Sequence, residues 1–355
     1  MSEEKVVVAM SGGVDSSVAA AFLKEKGYQV IGITIRMWGD KNRCCVPGDV
    51  EDAKKVARIL DIPHHVISMH DLFKEQVVDY FISEYLKGRT PNPCAVCNPS
   101  IKFGDLLKKA FELKAAYLAT GHYATVSLNP QNYRYMLKRG KERGKDQSYF
   151  LARLSQETLK SVMFPIGNFP KKKIRLLAER FHLPVASKTE SQEVCFIPDG
   201  DLTSFIKRYS GKSMNEGPIE DQTGKVLGKH PGVIGYTIGQ RKGLGIALGK
   251  PVYVTEINAK TNTITIGNNE DLYKRRLAAT GTHWLSIPAI KEPARFRVRI
   301  RHKHKPAWAK VTQRDNKVSE IEFDEPQRAL TPGQLAVFYQ DDAVAGSAWI
   351  DRVYN

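Results

Sequence analysis

A short apolar run, Val6–Ala9, leads without a break into Ser11-Gly12-Gly13-Val14-Asp15-Ser16-Ser17, and a helical pattern follows. Val6–Met10 reads as a buried strand and Ser16–Lys26 as a helix, with Val18, Phe22 and Leu23 on one face and Gly27 as its stop. Between them lies a phosphate cradle. Gly12 and Gly13 let the backbone turn tightly and approach an anion without Cβ clashes. The free N–H groups and the dipole at the helix start favour negative charge. Ser11 and Ser16 add hydroxyl donors. Asp15 repels a phosphate unless Mg²⁺ lies between them, so the loop predicts a metal-bound polyphosphate. It is not a Walker loop, because no Gly-Lys-Ser/Thr follows. The bland alternative is an ordinary glycine-rich strand-to-helix turn.

The first 120 residues keep this alternation. Strands are expected at Gln29–Ile35, His65–Ser68 and Tyr117–Thr120, and helices at Val50–Leu60, Leu72–Tyr85 and Ile101–Lys114. Alternating strands and helices predict a parallel sheet covered on both faces. After about residue 205 short strands take over. Val252–Asn258 and Thr263–Gly267 read as a hairpin, and more strands follow at Arg295–Arg301, Val311, Val318–Phe323, Leu335–Tyr339 and Ala345–Ile350. The expected fold is α/β: an N-terminal parallel-sheet domain (1–205), a small central β-rich domain (206–272) and a C-terminal β-barrel (273–355).

The chain carries 54 Lys and Arg against 38 Asp and Glu, a net charge of +16 that favours a polyanionic partner. Arg295, Arg297, Arg299 and Arg301 alternate with Phe296, Val298 and Ile300, which predicts four guanidinium groups on one strand face. Acids opposite, Glu320 and Glu322, are the plain alternative use of that face. Lys171–Lys173 starts a helix that faces either RNA or solvent. No apolar run reaches the roughly 18 residues of a membrane span, and cytoplasmic residence is expected.

There are five cysteines, too few and too scattered for a disulfide framework in such a setting. Cys94 and Cys97 lie in the proline-stiffened stretch Thr90-Pro91-Asn92-Pro93-Cys94-Ala95-Val96-Cys97-Asn98, and Cys195 lies in Ser191-Gln192-Glu193-Val194-Cys195-Phe196. Their polar, turn-rich surroundings argue against simple burial, and a thiol in a basic setting becomes a usable thiolate. Cys44 and Cys45 are adjacent and are assigned to packing.

The Ser-Gly-Gly-Val-Asp-Ser string resembles the PP-loop of the ATP pyrophosphatases, which adenylate a carbonyl oxygen and release pyrophosphate. Pro91 to Asn98 followed by Ile101–Phe103, Gly144–Phe150 and Ser191–Phe196 resemble the signatures of the tRNA 2-thiouridylases. That resemblance implies 2-thiolation of the wobble uridine of tRNA, with ATP and Mg²⁺, a persulfide-carrying donor protein and no membrane partner. It assigns ATP to Ala9, Met10, Ser11, Gly12, Gly13, Val14, Asp15 and Ser16, with Ile35 and Gly121 lining the adenosine pocket. It gives Cys195 the persulfide and Cys97 the resolving thiol, ending in a Cys97–Cys195 disulfide. It places Asn92, Pro93, Cys94 and His122 around the target base, and Lys145, Asp146, Gln147, Arg299, Ile300 and Gln334 against tRNA. Some relatives have Asp where this chain has Cys94, so Cys94, Cys97 and Cys195 together are also a candidate ligand set for a [4Fe–4S] cluster. Another adenylating PP-loop enzyme, such as a tRNA lysidine synthetase, is the nearest rival; it needs no cysteine pair.

Overall fold

The computed structural model describes residues 4–38, 47–189, 194–197, 200–211, 215–246, 248–315 and 317–354. Cys44, Cys45 and the Ser191–Glu193 part of the second cysteine motif lie outside these residues. The N-terminal sheet begins with β1 (Lys5–Ala9), β2 (Gln29–Arg36), β3 (His64–Ser68) and β4 (Tyr117–Ala119). A hairpin of β5 (Ala124–Leu128) and β6 (Tyr135–Arg139) intervenes before a two-residue edge strand, β7 (Val162–Met163). The order is β3-β2-β1-β4-β7, and every pairing is parallel.

β1 is central because both of its faces are apolar. Val6 and Val8 enter one core layer and Val7 the other, all three fully buried. Helix α1 (Val14–Glu25) buries Val18 and Leu23, while Phe22 sets its ring edge-on to Phe169 at 5.6 Å. Gly27 ends it with a φ of +87°. Helix α2 (Pro47–Ile59) buries Val50, Ala53 and Ala57 as its spacing predicts. The chain runs from β1 outward to β2 and β3, then returns to place β4 on the other side of β1. The crevice at the carboxyl ends of β1 and β4 is therefore the topological switch point, where ligands bind in such sheets.

The helix expected from Ile101 begins earlier. Asn92 caps it through Oδ1, which accepts from the Ala95 N–H at 3.2 Å, and Pro93 takes the first helical position. It runs as an α-turn over Pro93–Cys97, a π-segment over Asn98–Asp105 and α-helix again over Leu106–Glu112. Both cysteines of the first motif are thus on a helix, not in a loop.

The central sheet comprises β8 (Gly217–Glu220), β9 (Val226–His230), β10 (Tyr253–Asn258) and β11 (Thr263–Gly267), the last two forming the expected hairpin. The C-terminal strands are β12 (Tyr273–Trp284), β13 (Ala294–Arg299), β14 (Ala307–Gln313), β15 (Val318–Arg328), β16 (Leu335–Gln340) and β17 (Ala343–Tyr354). β12 pairs with both β15 and β17, which closes a six-stranded barrel. The hairpin β5–β6 adds to its outside through β17, with Ala343 opposite Lys138. The helix Leu202–Ser210 straddles residue 205, and its Phe205 and Ile206 pack into the N-terminal core. Among the described residues no helix is long and apolar enough to cross a membrane.

Candidate active site

The backbone of β1 carries straight into the loop: the Met10 N–H donates to the Ile33 carbonyl at 2.8 Å. Gly12 has a φ of +72°, and a Cβ there would lie 2.1 Å from the Asp49 carbonyl oxygen. Only glycine satisfies both the left-handed turn and the contact with α2. Lys188 braces the same junction, donating to the Gly12 carbonyl at 3.0 Å and to the Asp49 and Asp52 carboxylates at 2.7 and 2.6 Å. The Ser16 hydroxyl donates to the Gly13 carbonyl at 3.2 Å and accepts from the Ser11 N–H at 3.1 Å, so it shapes the loop itself. Gly13 is the N-cap of α1 and supplies no capping side chain, which leaves the first-turn N–H groups for an anion.

Above the switch point lies a cavity lined by Ala9, Met10, Ser11, Asp15, Ser16, Ile35 and Gly121, seven of the ten residues assigned to ATP. Gly12 and Gly13 act through the backbone instead, and Val14 is a core residue at 3% exposure. Gly121 must lack a side chain, since a Cβ would meet the Ser16 nitrogen at 2.6 Å. His122 and Gln147, assigned to RNA from the sequence, line this same cavity. The His122 Nδ1 lies 2.7 Å from the Thr120 hydroxyl, and burial, then the charge of Lys102, hold its pKa well below the ordinary value. The ring is therefore neutral near pH 7. Gln147 Oε1 accepts from the Tyr123 N–H at 2.9 Å.

Asp15 is not bare. Its carboxylate accepts from Lys171 Nζ at 2.8 Å on both oxygens and from the Tyr123 hydroxyl at 2.7 Å. The expectation that Lys171–Lys173 faces RNA or solvent as a block is corrected: Lys171 is buried on this acid while Lys172 and Lys173 are exposed.

The thiols are not in the lining of this cavity, but Lys102, which is, acts on Cys94 and Cys97. Cys97 is buried, Cys94 exposed and Cys195 half-buried. Burial pushes the Cys97 thiol up to about 12, Lys102 pulls against it, and Cys195 and Cys94 push further. Cys94 likewise feels both Cys195 and Lys102. The three thiols and Lys102 therefore share one electrostatic neighbourhood. Among the described residues no group of three His, Cys, Asp or Glu side chains is arranged to hold a metal ion. Phe196 fixes the second motif by packing edge-on against Phe73 and Phe81 at 5.6 and 5.1 Å.

Lys102 belongs to the Ile101–Phe103 signature, to which the sequence motifs assign no site role. It lines the nucleotide cavity, and its charge reaches Cys94, Cys97 and His122. Residues five apart face differently on an α-helix, but the π-segment that begins after Cys97 closes i to i+5, in keeping with the charge of Lys102 reaching Cys97. The signal in the sequence is Ile101-Lys102-Phe103, a lysine between two residues that are both buried.

The predicted tRNA residues divide. Asn92 and Pro93 are buried as cap and first helical residue beside exposed Cys94. Gln334 does not point outward: its Nε2 donates to the carbonyls of Thr90 and Pro91 at 2.8 and 3.3 Å, clamping the thiol helix to the barrel. Lys145 is half-buried. Asp146 is enclosed at the junction with the barrel. Its side chain is 0% exposed; Oδ2 accepts from Arg299 Nη1 at 2.9 Å and Arg139 Nε at 3.3 Å, and Oδ1 from the N–H groups of Gly140 and Ser148. Arg299 is consequently buried, as is Ile300 at 1% exposure. The four-guanidinium face does not form, because β13 ends at Arg299, which turns inward to this acid.

Three family profiles match the chain: "tRNA methyl transferase HUP domain" over residues 4–199, "tRNA methyl transferase PRC-barrel domain" over 203–268 and "Aminomethyltransferase beta-barrel domain" over 274–350. A tRNA-specific 2-thiouridylase of Caldanaerobacter subterraneus subsp. tengcongensis is 48% identical, with 98% of each chain covered. One from Clostridioides difficile is 45% identical over 98% of each chain. Among solved structures, a 4-thiouridine synthetase–RNA complex with bound ATP is 18% identical, covers 58% of this chain and 50% of its own, and has a TM-score of 0.38, too slight a likeness to weigh. With near-half identity along its whole length to several such enzymes, and with all three domains matched in order, the chain belongs to the tRNA-specific 2-thiouridylase family.

Proposed function

We propose that this chain converts the wobble uridine of tRNA to 2-thiouridine, using Mg·ATP and a sulfur atom carried as a persulfide. The observation that supports this best is Lys102: one side chain lines the nucleotide cavity and also bears electrostatically on the thiols. Activation and sulfur transfer thus have adjoining places in one site.

The uracil 2-carbonyl is a poor electrophile. Its oxygen attacks the α-phosphorus of ATP, pyrophosphate leaves, and C2 acquires adenylate as a leaving group. The N–H groups at the start of α1 would hold the phosphates, and Asp15 would hold a Mg²⁺ ion that offsets their charge. The terminal sulfur of a Cys195 persulfide, supplied by a donor protein, then attacks C2 and AMP departs. Cys97 as thiolate attacks the Cys195 sulfur. The S–S bond breaks, its electron pair stays on the sulfur bound to C2, and a Cys97–Cys195 disulfide remains for an external dithiol to reduce. Asn92, Pro93, Cys94 and neutral His122 surround the flipped base, which must leave its stack to reach the thiols.

For the RNA surface, the hairpin β13–β14 replaces the four-arginine face. From residue 294 to 313 it holds Arg295, Arg297, Arg299, Arg301, Lys303, Lys305 and Lys310, and no acid. Trp308 is 49% exposed, with the guanidinium carbons of Arg295 and Arg297 each 5.8 Å from its ring. Cations beside an open aromatic face suit a phosphodiester chain with stacked bases. Replacing Arg297 and Lys310 by alanine should weaken tRNA binding and reduce the slope of log K against log salt by about 1 for each phosphate no longer neutralised. Filter binding at several salt concentrations reads this directly, and an unchanged slope removes the hairpin from the interface.

The function itself is tested by incubating the anaerobic protein with unmodified tRNA, Mg·ATP, sulfide and reductant, then weighing the nucleosides. We expect 2-thiouridine that requires both ATP and tRNA. Neither product nor tRNA-stimulated AMP release would overturn the proposal.

A further inference from the structure

We infer that Lys171 is a second catalytic cation of the adenylation step, held by Asp15 until Mg²⁺ takes that carboxylate and then free to bind the departing pyrophosphate. The inference rests on the proposed role of Asp15 as the Mg²⁺ contact.

The geometry is that of an occupied acid. Asp15 receives both Lys171 contacts at 2.8 Å and the Tyr123 hydroxyl at 2.7 Å. Mg²⁺ needs a carboxylate oxygen at roughly 2.0–2.1 Å, well inside the distance at which Nζ now sits, so the metal and the ammonium compete for one partner. Lys171 is only 8% exposed, and its stem is fixed because its backbone N–H donates to Glu142 Oε2 at 2.6 Å. Once displaced, the ammonium stays next to Asp15, which lines the nucleotide cavity.

The local helix does not account for a lysine here. Lys171 opens the helix Lys171–Arg180, which has Pro170 as a cap without a capping side chain and no acid in its first turn. Three consecutive lysines stand at that end, where the macrodipole opposes cations. The Glu142 carboxylate on the Lys171 N–H and the Asp15 carboxylate on its ammonium offset that conflict in part, and a bound anion adds to them. The first turn of α1, carrying Asp15, meets the first turn of this helix through the Asp15–Lys171 pair, so two positive helix ends converge. Pyrophosphate is the anion whose charge grows there as the bond to the α-phosphorus breaks, and a fixed cation aimed at developing charge lowers the barrier.

The test uses the full-length protein with Lys171→Met, Lys171→Arg and Asp15→Asn. Mn²⁺ binding in the presence of α,β-methylene-ATP is followed by electron paramagnetic resonance, and tRNA-stimulated AMP release from ATP is measured alongside. We expect Lys171→Met to bind Mn²⁺ several-fold more tightly, because its competitor is gone, while AMP release falls on the order of 100-fold. Lys171→Arg should recover part of the rate. A purely structural lysine would weaken Mn²⁺ binding and activity together, and that result overturns the inference. So does tighter Mn²⁺ binding with AMP release unchanged. If Asp15→Asn loses Mn²⁺ affinity but Lys171→Met leaves it unaltered, the handover alone is wrong. If Asp15→Asn binds Mn²⁺ normally, the metal assignment of Asp15 falls and the handover with it.

Discussion

Cys195→Ala should make no detectable 2-thiouridine, a loss of at least about 10³-fold, yet still release AMP when tRNA is supplied. The expectation follows from the separation of the two chemistries. The proposed adenylation uses the loop after β1 and Asp15, whereas the thiols stand on other elements, the helix at Pro93–Cys97 and the segment anchored by Phe196. Cys97→Ala should block turnover at a later point and leave the sulfur bound to both enzyme and RNA, visible as a covalent adduct that a reductant releases. The wild-type resolving step should also accelerate with pH. Burial holds the Cys97 thiol up at about 12, so its thiolate fraction grows about tenfold per pH unit across the neutral range. Rapid-quench measurement of adduct decay between pH 7 and pH 9 reads that slope. If both cysteine variants formed product at the wild-type rate, an adenylating enzyme of another kind would be the better description.

The second large effect concerns stability. Asp146→Ala should destabilise the junction of the N-terminal domain and the barrel by about 3–5 kcal/mol. The carboxylate is wholly enclosed, and its loss strands the buried guanidinium of Arg299, at 7% side-chain exposure, together with two backbone N–H groups. Asp146→Asn keeps the acceptor but drops the charge, so it should fall between alanine and wild type. Urea titration, read by the fluorescence of barrel tryptophans, gives the comparison. A midpoint for Asp146→Ala equal to that of wild type would show that the pair contributes nothing to folding.

The features legible in the sequence are those whose cause is local. The strand at Val6–Ala9, the glycine pair and the helix after it each announce themselves within a dozen residues, and the hairpin at 253–267 does so through its turn. β12 is hidden because its burial does not alternate: it runs through three exposed or half-exposed cations before Leu277, Ala278 and Ala279 turn inward together. The hairpin of β5 and β6 is hidden because its outer edge is placed by the last strand, from the far end of the chain. The same holds at the site. Arg299 looks like one of four equivalent arginines, and only a partner 153 positions away sets it apart. Lys171 looks like one of three solvated lysines until Asp15, 156 positions away, accounts for it. Asp15 and the cysteines stand out because short motifs mark them, whereas Lys102 depends on a π-turn that no simple periodicity encodes.

The hairpin's place on the barrel has a consequence for how the protein is made. β6 belongs to the catalytic domain, yet its outer edge is paired by Ala343 of the last strand, and the Arg139 N–H donates to the Asp342 carbonyl at 2.9 Å. A nascent chain therefore displays that edge from the time residue 139 leaves the ribosome until the closing strand arrives some two hundred residues later. At bacterial-type synthesis rates the interval is on the order of 10–40 s. Exposed strand edges recruit other strands, so a polysome loaded with this message sets many such edges side by side. The quality of the finished enzyme is thus tied to translation speed between residues 139 and 343, and a ribosome stalled there leaves behind an adhesive, half-closed product.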